Sequence, residues 1–129
     1  MNYPMNQFPK NKYDLEERTA KFGEEIIKFC RTLNQDTIVR PLISQLIRSA
    51  TSVGANYMEA NSASSKKDFR NKIFICKKEA QETKHWLRML IQAVSGKQDE
   101  IKILWQEAQE LTLIFQKITT SLREIKFGN

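Results

Sequence analysis

The chain has 129 residues, the size of one domain, and 40% of them are hydrophobic. Its net charge of +6, with 21 Lys and Arg against 15 Asp and Glu, points to an anionic partner and away from an acidic tail protein. Two cysteines, one histidine and no apolar run near the ~20 residues of a membrane span exclude a disulfide framework, a histidine-rich metal centre and a membrane helix.

Residues 1–13 form an Asn-, Pro- and Lys-containing arm, expected to be flexible, in which Tyr3, Phe8 and Tyr13 are available for docking. It lacks the apolar core of a signal peptide. A single domain is expected over residues 14–127, with helices near 14–33, 38–60, 66–95 and 99–126. The first helix carries the stripe Leu15, Thr19, Phe22, Ile26, Phe29 and Leu33, with Asp14 as N-cap and Asn34 beyond its end. The second admits Pro41 in its first turn, where the missing N–H has no intrahelical partner to lose. Leu42, Leu46, Ala50, Val53 and Tyr57 point inward.

The middle of that helix is unusually small and polar: Ser49, Ala50, Ser52, Gly54 and Ala55. A helical glycine costs about 1 kcal/mol relative to alanine, so close packing against Gly54 is expected to offset it. Arg48, Asn56 and Glu59 share a face by helical spacing. They read either as a small polar binding groove or as a polar network fixing helix register or a subunit contact.

Ser65 is the expected N-cap of the third helix, with Asp68 as the acid of a capping box. Its stripe is Phe69, Ile73, Cys76, Ala80, Thr83, Leu87, Leu90 and Val94, ended by Gly96. The fourth carries Leu104, Ala108, Leu111, Phe115, Ile118, Leu122 and Ile125. Stripes alternating four and three make an all-α, antiparallel, up-and-down, left-handed four-helix bundle. Cys30 and Cys76 lie on apolar stripes, and buried reduced thiols suit a cytoplasmic protein.

Phe74, Ile75, Trp86, Met89, Ile91, Ile103, Trp105, Leu113 and Ile114 lie off the stripes. A monomer is expected to expose several of them, so a homo-oligomer follows, with Trp86 and Trp105 as interface candidates. Charge is uneven as well. Residues 64–94 carry eight basic and three acidic side chains, close to the whole excess. Arg70, Lys77 and Lys84 repeat every seven residues, and Lys66, Lys67, Lys78 and Arg88 lie within reach of that line. Such a ridge suits nucleic acid, because Lys and Arg that neutralise phosphates release counterions. A solvated face interrupted by Asp68, Glu79 and Glu82 is the plainer alternative.

No catalytic residue is assigned. Glu82 and His85 have the Glu-x-x-His spacing of di-iron bundles, but those need a second such motif and two further glutamates. No metal, cofactor or small-molecule substrate is expected, and no glycine-rich phosphate loop is present.

Gln45-Leu-Ile-Arg-Ser-Ala-Thr-Ser-Val-Gly-Ala-Asn-Tyr-Met-Glu-Ala, Ser65-Lys-Lys-Asp-Phe and Lys78-Glu-Ala-Gln-Glu-Thr-Lys-His-Trp-Leu together resemble the 23S rRNA intervening-sequence protein family, over roughly Leu15 to Leu122. His85 stands where that family often has Tyr, and Ala60 replaces a Gly of one branch. The resemblance implies a barrel-like homopentamer without catalytic activity. It is similar also to the accessory protein of diversity-generating retroelements, a basic pentamer that works with RNA and a reverse transcriptase. The functional expectation is an oligomer that binds RNA or a ribonucleoprotein through the basic third helix. The alternative is an oligomeric protein–protein scaffold that binds no nucleic acid.

Overall fold

The computed structural model describes residues 14–127, and the side chains of 14–122. The N-terminal arm and the stripe position Ile125 lie outside the residues so described. Four α-helices fill the span: α1 (Leu15–Arg31), α2 (Val39–Asn61), α3 (Lys66–Ala93) and α4 (Gln98–Phe127). Each packs on its neighbours in the chain, and α1 closes the ring on α4. With short connections this is the antiparallel up-and-down arrangement.

Burial of the stripes holds it together. Phe22, Ile26 and Phe29 of α1 meet Leu46, Ala50 and Val53 of α2, Ile73, Cys76 and Leu87 of α3, and Leu104, Leu111 and Phe115 of α4 in one core. Burying a side chain of that size is worth about 1.5–3 kcal/mol. Threonines occupy core positions because a helix lets them satisfy themselves. Thr19 donates to the Leu15 carbonyl at 2.7 Å, and Thr112 to that of Ala108 at 2.8 Å. Between α2 and α3 the buried Ser49 and Thr83 hydroxyls meet at 2.9 Å.

The helix ends differ in part from the sequence expectation. Ser65 caps α3 as expected, accepting from the Asp68 amide at 3.0 Å. Asp14 makes no side-chain cap bond. Asp36 instead caps α2: its Oδ1 accepts from the Ile38 and Val39 amides at 3.0 and 2.8 Å. The third helix does not stop on Gly96. It stops at Val94, which turns to extended backbone, and Gly96 (φ +75°) then bends the chain towards α4.

Gly54 brings α2 close to α1. A Cβ there would lie 3.4 Å from both the carbonyl and the hydroxyl oxygen of Thr19. That is contact without overlap. Gly54→Ala is therefore expected to hold stability or raise it by up to about 1 kcal/mol through helix propensity. Gly54→Leu is expected to lower it by about 1–3 kcal/mol. Urea melts of the two variants distinguish these outcomes.

Burial pushes the Cys30 and Cys76 thiols up to about 12 from an ordinary 9.0. Both stay protonated in the folded chain, and Cys76 donates to the Val53 carbonyl at 3.6 Å. The unfolded chain loses these protons near pH 9, so the folded state binds more protons above that. Stability from this source is complete below pH 9 and falls as pH climbs towards 12. Native protein at pH 8 is expected to resist thiol reagents until denaturant is added; fast native labelling would contradict this burial.

Candidate nucleic-acid interface

The α3 cations fall on one sector of the helix. At 100° per residue, Lys66, Arg70, Lys77, Lys84 and Arg88 line the side next to α4, and Lys67 and Lys78 the crest. Asp68, Glu79 and Glu82, which interrupt the run in sequence, turn towards α2. Arg48 of α2 meets Glu79 there at 3.3 Å and also pairs with Glu82. Helical geometry thus sorts the two signs of charge that the sequence mixes.

None of the seven cations has a carboxylate partner among the described residues. Other basic side chains do: Lys72, the remaining basic residue of α3, bonds Glu59 at 2.7 Å, and Lys21 and Lys28 share Glu25. Three of the seven are held in place by neutral groups. Lys77 donates to Gln116 of α4, and Lys84 to Gln109 at 2.6 Å. Aromatic rings lie beneath them. The Arg70 guanidinium sits 5.0 Å from the centre of the Phe74 ring, Lys77 lies 6.0 Å from the same ring, and Lys84 lies 5.3 Å from Trp105. A cation over a ring keeps its charge while it loses mobility. Lys66, Lys67, Lys78 and Arg88 are exposed. The facing outer positions of α4 are Lys102, Gln106, Gln109, Leu113, Gln116 and Thr120, with no carboxylate among them.

Arg48, Asn56 and Glu59 do not form one network. Arg48 reaches Glu79 and Glu82, Glu59 reaches Lys72, and Asn56 donates to the Ser52 carbonyl at 2.8 Å. Two of the three tie α2 to α3, and the third bonds within its own helix. The eleven-residue spacing aligned Arg48 and Glu59 along α2, but their ionic partners lie on α3, out of reach of one-dimensional spacing.

The two indoles are less exposed than the sequence suggests. Trp86 and Trp105 are half-buried against the core, as are Ile103 and Ile114. Of the nine off-stripe residues, Ile91 and Leu113 remain exposed, Leu113 at 57%. Trp105 lies under Lys84, inside the basic face. Trp86 stands edge-on to the exposed His85, with centroids 4.9 Å apart. Glu82 is occupied by Arg48, and no group of three or more His, Cys, Asp or Glu able to hold a metal occurs among the described residues. No helix among them is long and apolar enough to cross a membrane.

A second surface was not foreseen. Between α1 and α2 runs a groove of about 540 Å³ floored by Ala20, Gly23, Gly54 and Ala55 and edged by Ile27 and Met58. Met58 is 60% exposed. Glu16, Glu17 and Glu24 line it, with no basic residue among its walls. The signal was the small-residue run of α2, whose counterpart on α1, Ala20 and Gly23, shows only when the helices are paired.

Arg18 was also missed. It is 2% exposed and forms a two-pronged pair with Glu107, itself 2% exposed, at 2.7 and 2.8 Å. It also donates to Glu110 at 2.9 Å. Its hydrogen bond to Glu107 raises the Arg18 pKa.

No curated protein matches the chain. Among solved structures, a protein of unknown function from the S23 ribosomal protein family of Bacteroides thetaiotaomicron is similar. It shares 28% identity with a TM-score of 0.71, over 81% of this chain and 97% of that one. The family model described as 23S rRNA-intervening sequence protein matches residues 11–117, which span the core of all four helices and the whole basic sector of α3. With the bundle, the small-residue second helix and that match in agreement, the chain belongs to the 23S rRNA-intervening sequence protein family.

Proposed function

We propose that this protein is a non-enzymatic, cytoplasmic RNA- or ribonucleoprotein-binding bundle that works as a homo-oligomer, a pentamer by resemblance to its family. One observation carries the RNA reading. Seven cations share one sector of α3, and none is neutralised by a carboxylate among the described residues. Unpaired charge gathered on one face raises the local potential and draws in a polyanion. Membership of the 23S rRNA-intervening sequence protein family favours RNA over other polyanions. A direct test is the ratio of absorbance at 260 and 280 nm of freshly purified protein, before and after a high-salt wash. Nucleic acid that copurifies and leaves with salt is the expected result. A protein-only spectrum at low salt, in the presence of added RNA and after gel filtration, would contradict it.

The acidic α1/α2 groove with exposed Ile27 and Met58 favours a second reading, a protein–protein scaffold without nucleic acid. Self-association belongs to both readings. Light scattering is expected to give about five times the 15.1 kDa chain mass. A monomeric mass at micromolar concentration would remove the oligomer.

A further inference from the structure

We propose that the α3/α4 face recognises double-helical RNA through its backbone, in preference to single strands and to B-form DNA; this rests on the RNA reading above. The inference begins with how the cations are held. Arg70, Lys77 and Lys84 repeat at about 10 Å along a straight helix. Lys77 and Lys84 are anchored by Gln116 and Gln109. Arg70 is seated on Phe74, and its Nε is buried without a hydrogen-bond partner among the described residues. Charges fixed in a row fit a partner whose phosphates are fixed as well, since neither side then loses much conformational freedom.

The rings on this face point the same way. Proteins that hold single strands offer aromatic platforms on which bases stack. Here Phe74 and Trp105 are half-buried, and their faces are covered by the protein's own cations. What reaches solvent is mainly ammonium, guanidinium and carboxamide, the groups that bond phosphates and 2′-hydroxyls, with Leu113 exposed beside them.

The shape of the face separates RNA from DNA. The ridge from Lys66 to Arg88 is about 33 Å long by helical rise. It is flanked by α4 on one side and α2 on the other, so the surface it offers is broader than the single helix that a B-DNA major groove of ~12 Å admits. A broad two-helix face instead meets the wide, shallow minor groove of A-form RNA, where the 2′-hydroxyls are displayed and recognition is by shape.

The test uses the full chain and three probes in fluorescence anisotropy at one fixed salt concentration: a mixed-sequence 20-base-pair RNA duplex, oligouridine of matched length, and the same duplex as DNA. The RNA duplex is expected to bind at least about 10-fold tighter than either of the others. Oligouridine or DNA duplex binding as tightly as the RNA duplex would overturn the inference while leaving nucleic-acid binding intact. No binding of any probe at low salt would overturn the broader RNA reading with it.

Discussion

Glu107→Ala is expected to destabilise the bundle by about 3–5 kcal/mol, the largest effect of any single substitution considered. Arg18 is 2% exposed, and two of its nitrogens lie within 2.8 Å of the Glu107 carboxylate. Removing that carboxylate leaves a guanidinium buried beside one remaining acid, Glu110, which is itself partly exposed. Arg18 cannot shed its proton to escape. Against a total stability of about 5–15 kcal/mol for a domain, that loss takes roughly a fifth of the total or more. The opposite sign is expected when the whole pair is removed. Arg18→Met with Glu107→Leu removes both desolvated charges and keeps apolar volume, so stability is expected to hold or to rise by about 1–4 kcal/mol. Chemical melts of the single and double variants check both. A double variant as weak as Glu107→Ala would show that the pair contributes net stability instead of register alone.

The architecture was legible in the sequence for a simple reason. Stripes such as Phe22, Ile26 and Phe29 in α1, or Leu104, Ala108 and Leu111 in α4, state which face of each helix is buried. The basic sector of α3 was legible too, because seven-residue repeats map directly onto one side of a helix. What could not be read was pairing between helices. Arg18 and Glu107 are 89 residues apart, and only their core register betrays them: Arg18 lies three residues after Leu15 and four before Phe22. A charge in that register is either an error of reading or a buried pair. Trp105 was read as surplus because spacing cannot show that a ring off the stripe fills the seam beneath Lys84. Asp36 falls between the first two expected helices, and its place two and three residues before the first free amides of α2 is that of a cap.

The other large effect concerns binding. Arg70→Glu, Lys77→Glu and Lys84→Glu together are expected to lower RNA affinity by about 100-fold or more at low salt, since three phosphate contacts become three repulsions. The bundle should survive: these side chains lie beside Gln109, Gln116 and the aromatic seam, outside the core. Should the triple reversal fail to fold by circular dichroism, the Gln series at the same positions serves. It is expected to lower affinity about 10-fold with an unchanged melting curve. Reversal of Arg48, whose charge is taken up by Glu79 and Glu82, is expected to leave RNA affinity nearly unchanged and to lower stability instead.

The measurement that bears most directly on the α3 face is the dependence of RNA affinity on salt. The logarithm of the binding constant for a structured RNA, plotted against the logarithm of salt concentration, is expected to fall steeply for the unaltered protein. Its slope should lessen by about three when Arg70, Lys77 and Lys84 are neutralised. Absence of binding at low salt, or a slope that the three substitutions leave untouched, would contradict the assignment of these residues as the RNA-binding surface.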